Sequence, residues 1–185
     1  MKAALGLLLA PGAGADRDQA TLVALDTAAS SQGVAVERLD FPYRQAGRRA
    51  PDRPAVLVQA VREAAEALAS RCERMVLGGR SMGGRMCSMA VAEGLPAAGL
   101  LLVSYPLHPP GKPESPRTEH FSKLTAPCLF VSGTRDAFGS PSEIEAATAA
   151  IPGPVTHHWV EGKDHALRGV DAVVVEVALD WLARL

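Results

Sequence analysis

Short apolar runs alternate along the chain with longer segments in which apolar residues recur at helical spacing. Runs that are apolar at successive positions predict strands buried on both faces, whereas spacings of three and four residues predict amphipathic helices. Strands are predicted over 4–10, 34–39, 74–77, 98–104, 128–132 and 155–160, and helices over 17–31, 54–70, 81–93, 142–150 and 167–185.

Strands that alternate with helices predict a parallel sheet covered by helices on both faces. Right-handed crossovers then produce a three-layer, doubly wound α/β fold, mostly parallel, of about six strands. The 185 residues, of which 48% are hydrophobic, suffice for one core and are few for two, so we expect a single domain over 1–185. In such folds the functional residues are expected just after the carboxyl ends of strands.

Composition narrows the possible partners and compartments. The formal net charge is -1 and charges of both signs are scattered, so we expect neither a nucleic-acid partner nor binding to a membrane. Cys72, Cys87 and Cys128 fit neither a disulfide framework nor a zinc site and favour a reducing, cytoplasmic compartment. The apolar segment 3–10 imitates a signal peptide, but a buried strand followed by a glycine turn is the preferred interpretation.

Three residues with the chemistry of a nucleophile, an acid and a base follow predicted strands. Ser81 comes after the third strand in the pattern G-x-S-x-G, Asp136 after the fifth and His165 after the sixth. A serine hydroxyl is a weak nucleophile and needs a base within hydrogen-bond reach. We expect His165 to be that base and Asp136 to orient the imidazole and stabilise its charged form.

The turn around Ser81 also predicts donors for a developing oxyanion. Gly79 and Gly83 leave room for close backbone approach at a strained turn between strand and helix. The N–H of Met82 lies at the start of the following helix and is one candidate donor. The second donor is expected from the glycine-rich loop after the first strand, at Ala13 or Gly14.

Each of these residues has a structural alternative. The pattern G-x-S-x-G alone is weak evidence, Asp136 is also a plausible turn or helix-capping residue, and His165 a plausible surface histidine. Segment 12–14 resembles the opening of a dinucleotide fingerprint, but Arg17 stands where the third glycine belongs. Because no phosphate-loop pattern or metal-ligand spacing occurs either, we expect neither a cofactor nor a metal.

Two loops that follow strands are expected to shape a substrate pocket. The loop 105–123 is long and proline-rich but too short for a lid domain. For the arginines in the loop 43–54, a solvated loop with structural ion pairs is the preferred interpretation. The alternative is that they favour an anionic substrate group, together with the arginine beside Ser81. The candidate pocket residues are Arg48, Arg49, Arg80 and His108.

Five motifs occur together over nearly the whole chain: 11–16, 41–43 with 47–52, 78–85, 105–112 and 133–136. With them the chain resembles the α/β-hydrolase superfamily, in its small branch near the dienelactone hydrolases. It is most similar to a subgroup that includes a subunit of the non-specific lethal histone acetyltransferase complex and a testis-expressed protein. One difference is that serine stands where dienelactone hydrolases proper use cysteine. Another is that proline precedes Gly12, where many hydrolases have histidine.

The resemblance implies a minimal α/β-hydrolase fold without a lid domain, with Ser81, Asp136 and His165 as the triad in the superfamily's chain order. Two functions follow as hypotheses. The first is a serine hydrolase that cleaves a small ester, thioester or amide through an acyl-enzyme. The second is a non-catalytic binding or scaffold protein built on a hydrolase fold.

Overall fold

The computed structural model describes residues 2–185, and Met1 lies outside the described residues. Six strands form one sheet, and six α-helices connect or flank them. The strands are β1 (Ala3–Ala10), β2 (Ala35–Arg38), β3 (Cys72–Arg80), β4 (Gly99–Val103), β5 (Cys128–Gly133) and β6 (Val155–Val160). The helices are α1 (Ala20–Ser31), α2 (Pro42–Gln45), α3 (Pro54–Ala69), α4 (Met82–Ala92), α5 (Pro141–Thr148) and α6 (Asp171–Leu182).

The strand order is β2-β1-β3-β4-β5-β6 and every neighbouring pair is parallel. Successive side chains of each strand point to opposite faces, so the sheet has two cores. One contains Leu8 and Leu77 under α3 and α4, and the other contains Leu7 and Val76 under α1 and α6. The predicted three-layer, doubly wound fold is confirmed, and the sheet is wholly rather than mostly parallel.

Three predicted boundaries were wrong, and backbone geometry explains each. Strand β3 extends through Gly78 and Gly79 to Arg80, because these glycines pair closely with β1 and β4. Helix α4 begins only at Met82, because Ser81 has a positive φ that an α-helix cannot accommodate. The last helix begins at Asp171 rather than 167, since Leu167 and Gly169 also have positive φ.

The first helix also starts later than predicted, at Ala20, because Gln19 has a ψ of 127°, which is outside the helical range. Helix α2 and a short 3-10 turn at Phe121–Lys123 were not predicted. No helix in residues 2–185 is both long and apolar enough to cross a membrane.

Strand β1 has β2 on one side and β3 on the other, so the direction of winding reverses between β1 and β3. In open parallel sheets, the crevice at the carboxyl ends of the strands at this point is the usual ligand site. The loop after β1 contains Gly12 and Ala13, and the turn after β3 contains Ser81. Both candidate segments therefore lie at the position that the topology favours.

Candidate active site

Ser81 occupies a one-residue turn between β3 and α4, with φ 50° and ψ -118°. A non-glycine residue in such a conformation costs about 1–3 kcal/mol and persists only where its surroundings impose it. Its N–H donates to the Val103 carbonyl at 2.8 Å, and its carbonyl accepts from the Arg85 N–H at 3.1 Å. These two bonds fix the turn to the neighbouring strand and to the first turn of α4.

Glycines on both sides of Ser81 allow the turn to press against β1. A Cβ atom built at Gly79 or Gly83 would lie well inside van der Waals contact of the Ala10 carbonyl oxygen. The neighbouring groups are backbone atoms, which cannot rotate away as a side chain can. The two glycines of the G-x-S-x-G pattern therefore have a steric reason here that is independent of any catalytic role.

The three residues predicted as nucleophile, base and acid lie in one hydrogen-bonded row. His165 Nε2 is 2.8 Å from Ser81 Oγ, and His165 Nδ1 is 2.8 Å from Asp136 Oδ2. A carboxylate can only accept, so Nδ1 carries the proton and Nε2 is free to accept from the serine hydroxyl. This is the tautomer that a base for Ser81 requires.

The surroundings of Asp136 and His165 restrict their movement. The Asp136 side chain is fully buried, and its Oδ1 accepts the Phe138 N–H at 2.8 Å. The Phe138 ring stacks on the imidazole of His165, with the ring centroids 4.0 Å apart. Gly133 permits close approach of the two loops, because a Cβ there would collide with the Lys163 carbonyl. Asp136 and His165 are therefore held by packing as well as by their mutual bond.

Arg80 connects the nucleophile turn to the loop of the base. Its Nη2 donates to the His165 carbonyl oxygen at 2.7 Å. Burial lowers the pKa of its guanidinium, while the charges of Asp171, Asp136 and Asp164 oppose that shift. Arg80 lines the cavity, but its Nη2 already donates to the protein backbone.

Two residues that line the cavity with Ser81 have backbone N–H groups without an acceptor in the described part of the chain. Within residues 2–185, the N–H groups of Met82 and Ala13 make no hydrogen bond. Gly14, the other predicted donor, instead donates its N–H to the Tyr43 hydroxyl at 3.1 Å. Of the two loop residues, Ala13 is therefore the available donor, and Tyr43 anchors the loop beside it.

A cavity of about 870 Å³ opens at the carboxyl edge of the sheet over Ser81 and His165. Five arginines line it, of which sequence reasoning identified only Arg80. Arg85 was detectable, since a residue four positions after Ser81 lies on the same face of a helix. The full lining is Gly12, Ala13, Gln19, Arg80, Ser81, Met82, Arg85, Pro106, Arg117, Arg135, Ala137, Phe138, Asp164, His165, Ala166 and Arg168.

The other predicted pocket residues lie elsewhere. Arg48 pairs with Asp52 at 2.8 Å on the surface, and Arg49 is exposed. His108 is buried behind Phe138, whose carbonyl accepts the His108 N–H, and it does not line the cavity. None of these three residues is among those that line the cavity over Ser81. Among residues 2–185, no group of three or more His, Cys, Asp or Glu side chains is placed to hold a metal ion.

Comparisons with known proteins agree with this architecture. A family model described as "Alpha/beta hydrolase domain" matches residues 3–173. The chain is similar to a structure reported for LipS and LipT, two metagenome-derived lipolytic enzymes, with 16% identity over 100% of this chain and 95% of the other, at a TM-score of 0.77.

Two further structures have the same fold. Est1E from Butyrivibrio proteoclasticus is 16% identical over 99% of this chain and 88% of its own, with a TM-score of 0.79. A dienelactone hydrolase from Anabaena variabilis is 16% identical over 99% of this chain and 87% of its own, with a TM-score of 0.76. At these identities the likeness establishes the fold, and chemistry has to be argued from the site.

Proposed function

The chain belongs to the alpha/beta hydrolase domain family, and from that premise we propose that it is a serine hydrolase. Its substrate is a small ester, thioester or amide, cleaved through an acyl-enzyme on Ser81. The observation that carries the proposal is the continuous row from Ser81 Oγ through the imidazole of His165 to the buried carboxylate of Asp136, with both bonds at 2.8 Å.

In the acylation step, Ser81 Oγ attacks the substrate carbonyl carbon while His165 Nε2 takes the hydroxyl proton. The Asp136 carboxylate stabilises the imidazolium that forms and keeps its ring in place. The carbonyl oxygen becomes an oxyanion and accepts from the N–H groups of Met82 and Ala13. Removing one such donor typically lowers kcat by about 10²–10³.

The tetrahedral intermediate then collapses and breaks the bond to the leaving group. His165 Nε2–H donates its proton to the departing oxygen, sulfur or nitrogen atom, which leaves the acyl group on Ser81. In the second half, His165 takes a proton from water, the water oxygen attacks the acyl carbonyl, and Ser81 Oγ leaves and recovers its proton. The neutral tautomer of His165 is restored at the end.

A scaffold without catalytic activity would need neither the strained conformation of Ser81 nor a cavity that exposes it. Both features are present, which favours the hydrolase over the scaffold hypothesis. Three points stay predictions: the narrower resemblance to the subgroup with the chromatin-complex subunit, the small-molecule substrate, and the cytoplasmic location.

The proposal is tested with para-nitrophenyl esters of acetate, butyrate and octanoate. We expect hydrolysis that is saturable and fastest for the short acyl groups, and that Ser81→Ala abolishes. A Ser88→Ala variant is the matched control, because Ser88 is buried on α4 and does not line the cavity. Absence of hydrolysis by folded wild-type protein, or equal rates for wild type and Ser81→Ala, would contradict the proposal.

A further inference from the structure

The cavity over Ser81 has an unbalanced charge. Five arginines line it, and the acidic residue in the lining is Asp164, on the loop that also carries His165. Arg80 and Asp164 lie close enough to interact electrostatically. The Asp164 Oδ1 also accepts the Ala166 N–H at 3.0 Å. Asp164 therefore offsets only part of the charge of the five arginines, and the lining keeps a net positive charge.

Arg85 is the one cationic residue of α4 and lies in the first turn of that helix, just after Ser81. Its Nε is buried and has no hydrogen-bond partner among residues 2–185. Within the same part of the chain, no carboxylate lies within 4.0 Å of the Arg85 or Arg117 guanidinium. Charge-assisted hydrogen bonds from a guanidinium to an anion are stronger than neutral ones, so cavity arginines without a carboxylate partner are suited to bind an anionic ligand.

Tyr105 and His120, which lie near these two arginines, carry no negative charge near pH 7. The Tyr105 hydroxyl donates to the Arg117 carbonyl at 2.7 Å, and His120 Nε2 lies 2.8 Å from Ser88 Oγ. Burial and the charge of Arg85 lower the pKa of His120 to about 4, so this histidine is neutral near pH 7. Burial and the charge of Arg85 also lower the pKa of Arg117, against the weaker pull of Glu119.

We propose that Arg85 and Arg117 bind an anionic group of the substrate, a carboxylate or a phosphate, while Ser81 attacks the ester or thioester carbonyl. This inference rests on the proposed function and specifies its substrate class. A guanidinium presents paired donors that match the oxygens of either anion, and two of them side by side would neutralise it. Arg85 and Arg117 line the same cavity as Ser81, so an anion bound to them shares that cavity with the reacting carbonyl.

The first arm of the test compares two esters of equal chain length. The probes are mono-para-nitrophenyl glutarate, which carries a carboxylate, and para-nitrophenyl pentanoate, which is neutral. We expect kcat/KM to favour the glutarate ester by about 10- to 100-fold, the range of one or two charge-assisted hydrogen bonds. Arg85→Gln and Arg117→Gln should each reduce that preference about tenfold or more.

Arg53→Gln is the matched control, because it removes one positive charge from an exposed residue that does not line the cavity. It should leave the preference for glutarate at the wild-type value. Thermal unfolding of each variant checks that it folds. If Arg85→Gln does not fold, Arg117→Gln tests the same site. An equal preference in wild type, Arg117→Gln and Arg53→Gln would overturn the proposal.

The second arm measures binding without catalysis, by calorimetry of glutarate and of inorganic phosphate with the Ser81→Ala variant. The anion site is supported if either anion binds and if adding Arg85→Gln or Arg117→Gln weakens that binding about tenfold or more. The anion that binds more tightly shows whether the site prefers a carboxylate or a phosphate. No binding of either anion, together with hydrolysis of both esters at equal rates, leaves the hydrolase and refutes the anion site. Arginine-dependent binding without ester hydrolysis leaves the anion site and refutes the hydrolase.

Discussion

Replacing Asp136 by asparagine preserves the shape of the side chain and inverts the hydrogen bonding of the base. An asparagine has one accepting oxygen, whereas Asp136 accepts two N–H groups at 2.8 Å, from Phe138 and from His165. The backbone N–H of Phe138 cannot become an acceptor, so it holds the amide oxygen. The amide nitrogen then faces His165 Nδ1, and the imidazole proton moves to Nε2 and blocks proton transfer from Ser81.

The size of the loss in kcat follows from the free-energy cost of turning the asparagine amide around. Turning the amide restores the useful tautomer but leaves the Phe138 N–H unpaired, at about 1–3 kcal/mol, so about 5- to 150-fold less of the variant is competent. Loss of the negative charge that stabilises the imidazolium adds to this. We expect kcat to fall by roughly 10³–10⁴ in total, in line with the same change in a serine-protease triad.

The assay is kcat and kcat/KM for para-nitrophenyl acetate, with thermal unfolding as a check on folding. The control is Asp164→Asn, because Asp164 is adjacent to His165 in sequence but contacts the Ala166 N–H rather than the imidazole. It should change kcat for this neutral ester by less than about threefold, since the Asp164 side chain is exposed and makes no hydrogen bond to the imidazole. A large loss in Asp164→Asn together with a small loss in Asp136→Asn would refute the assignment of the acid.

Three further predictions concern the nucleophile turn, the oxyanion loop and the buried histidine. Gly83→Ala should lower the free energy of unfolding by about 2 kcal/mol or more because its Cβ meets the Ala10 backbone. Gly12→Ala, with the nearest atoms 3.6 Å away, should change it by less than about 0.5 kcal/mol in urea unfolding. Tyr43→Phe removes the acceptor of the Gly14 N–H and should lower kcat about fivefold by loosening the loop that holds Ala13; an unchanged kcat would contradict the anchoring role. The pKa of His120 is lowered to about 4 by burial and Arg85, so the unfolded chain takes the proton first. The free energy of unfolding is then highest above about pH 6.5 and falls toward pH 4. The fall is about 1–2 kcal/mol once the partial exposure of His120 is taken into account. Urea unfolding at about pH 7 and about pH 4.5 should show this loss in wild type and a smaller one in His120→Gln.

Local signals were sufficient to predict the fold and to predict that Ser81, Asp136 and His165 follow strands that end at the same edge of the sheet. Each strand is a short apolar run whose period does not depend on distant residues, and parallel packing brings the ends of the strands to one edge. The residues that follow the third, fifth and sixth strands are therefore predicted from the sequence alone to lie close together. The end of β3 at Arg80 was missed because glycine disfavours a strand unless another backbone lies against it.

Contacts between distant segments were not predictable in this way. The bond between the Gly14 N–H and the Tyr43 hydroxyl joins residues 29 apart in sequence, and no local pattern marks it. Arg117 reaches the cavity from the long loop after β4, whose path is set by the buried Tyr105 and Phe121. The loop after β2 was expected at the cavity for its arginines, but α2 and the burial of Tyr43 direct Arg48 and Arg49 to the surface.

The most direct test of the account is the site of covalent attachment of a fluorophosphonate, mapped by mass spectrometry after proteolysis. If Ser81 is the nucleophile and His165 its base, one adduct is expected, on the peptide that contains Ser81. His165→Gln should slow the labelling strongly, and Ser81→Ala should remove it. Folded wild-type protein that is not labelled at neutral pH, or an adduct on another residue that persists in Ser81→Ala, would contradict this assignment.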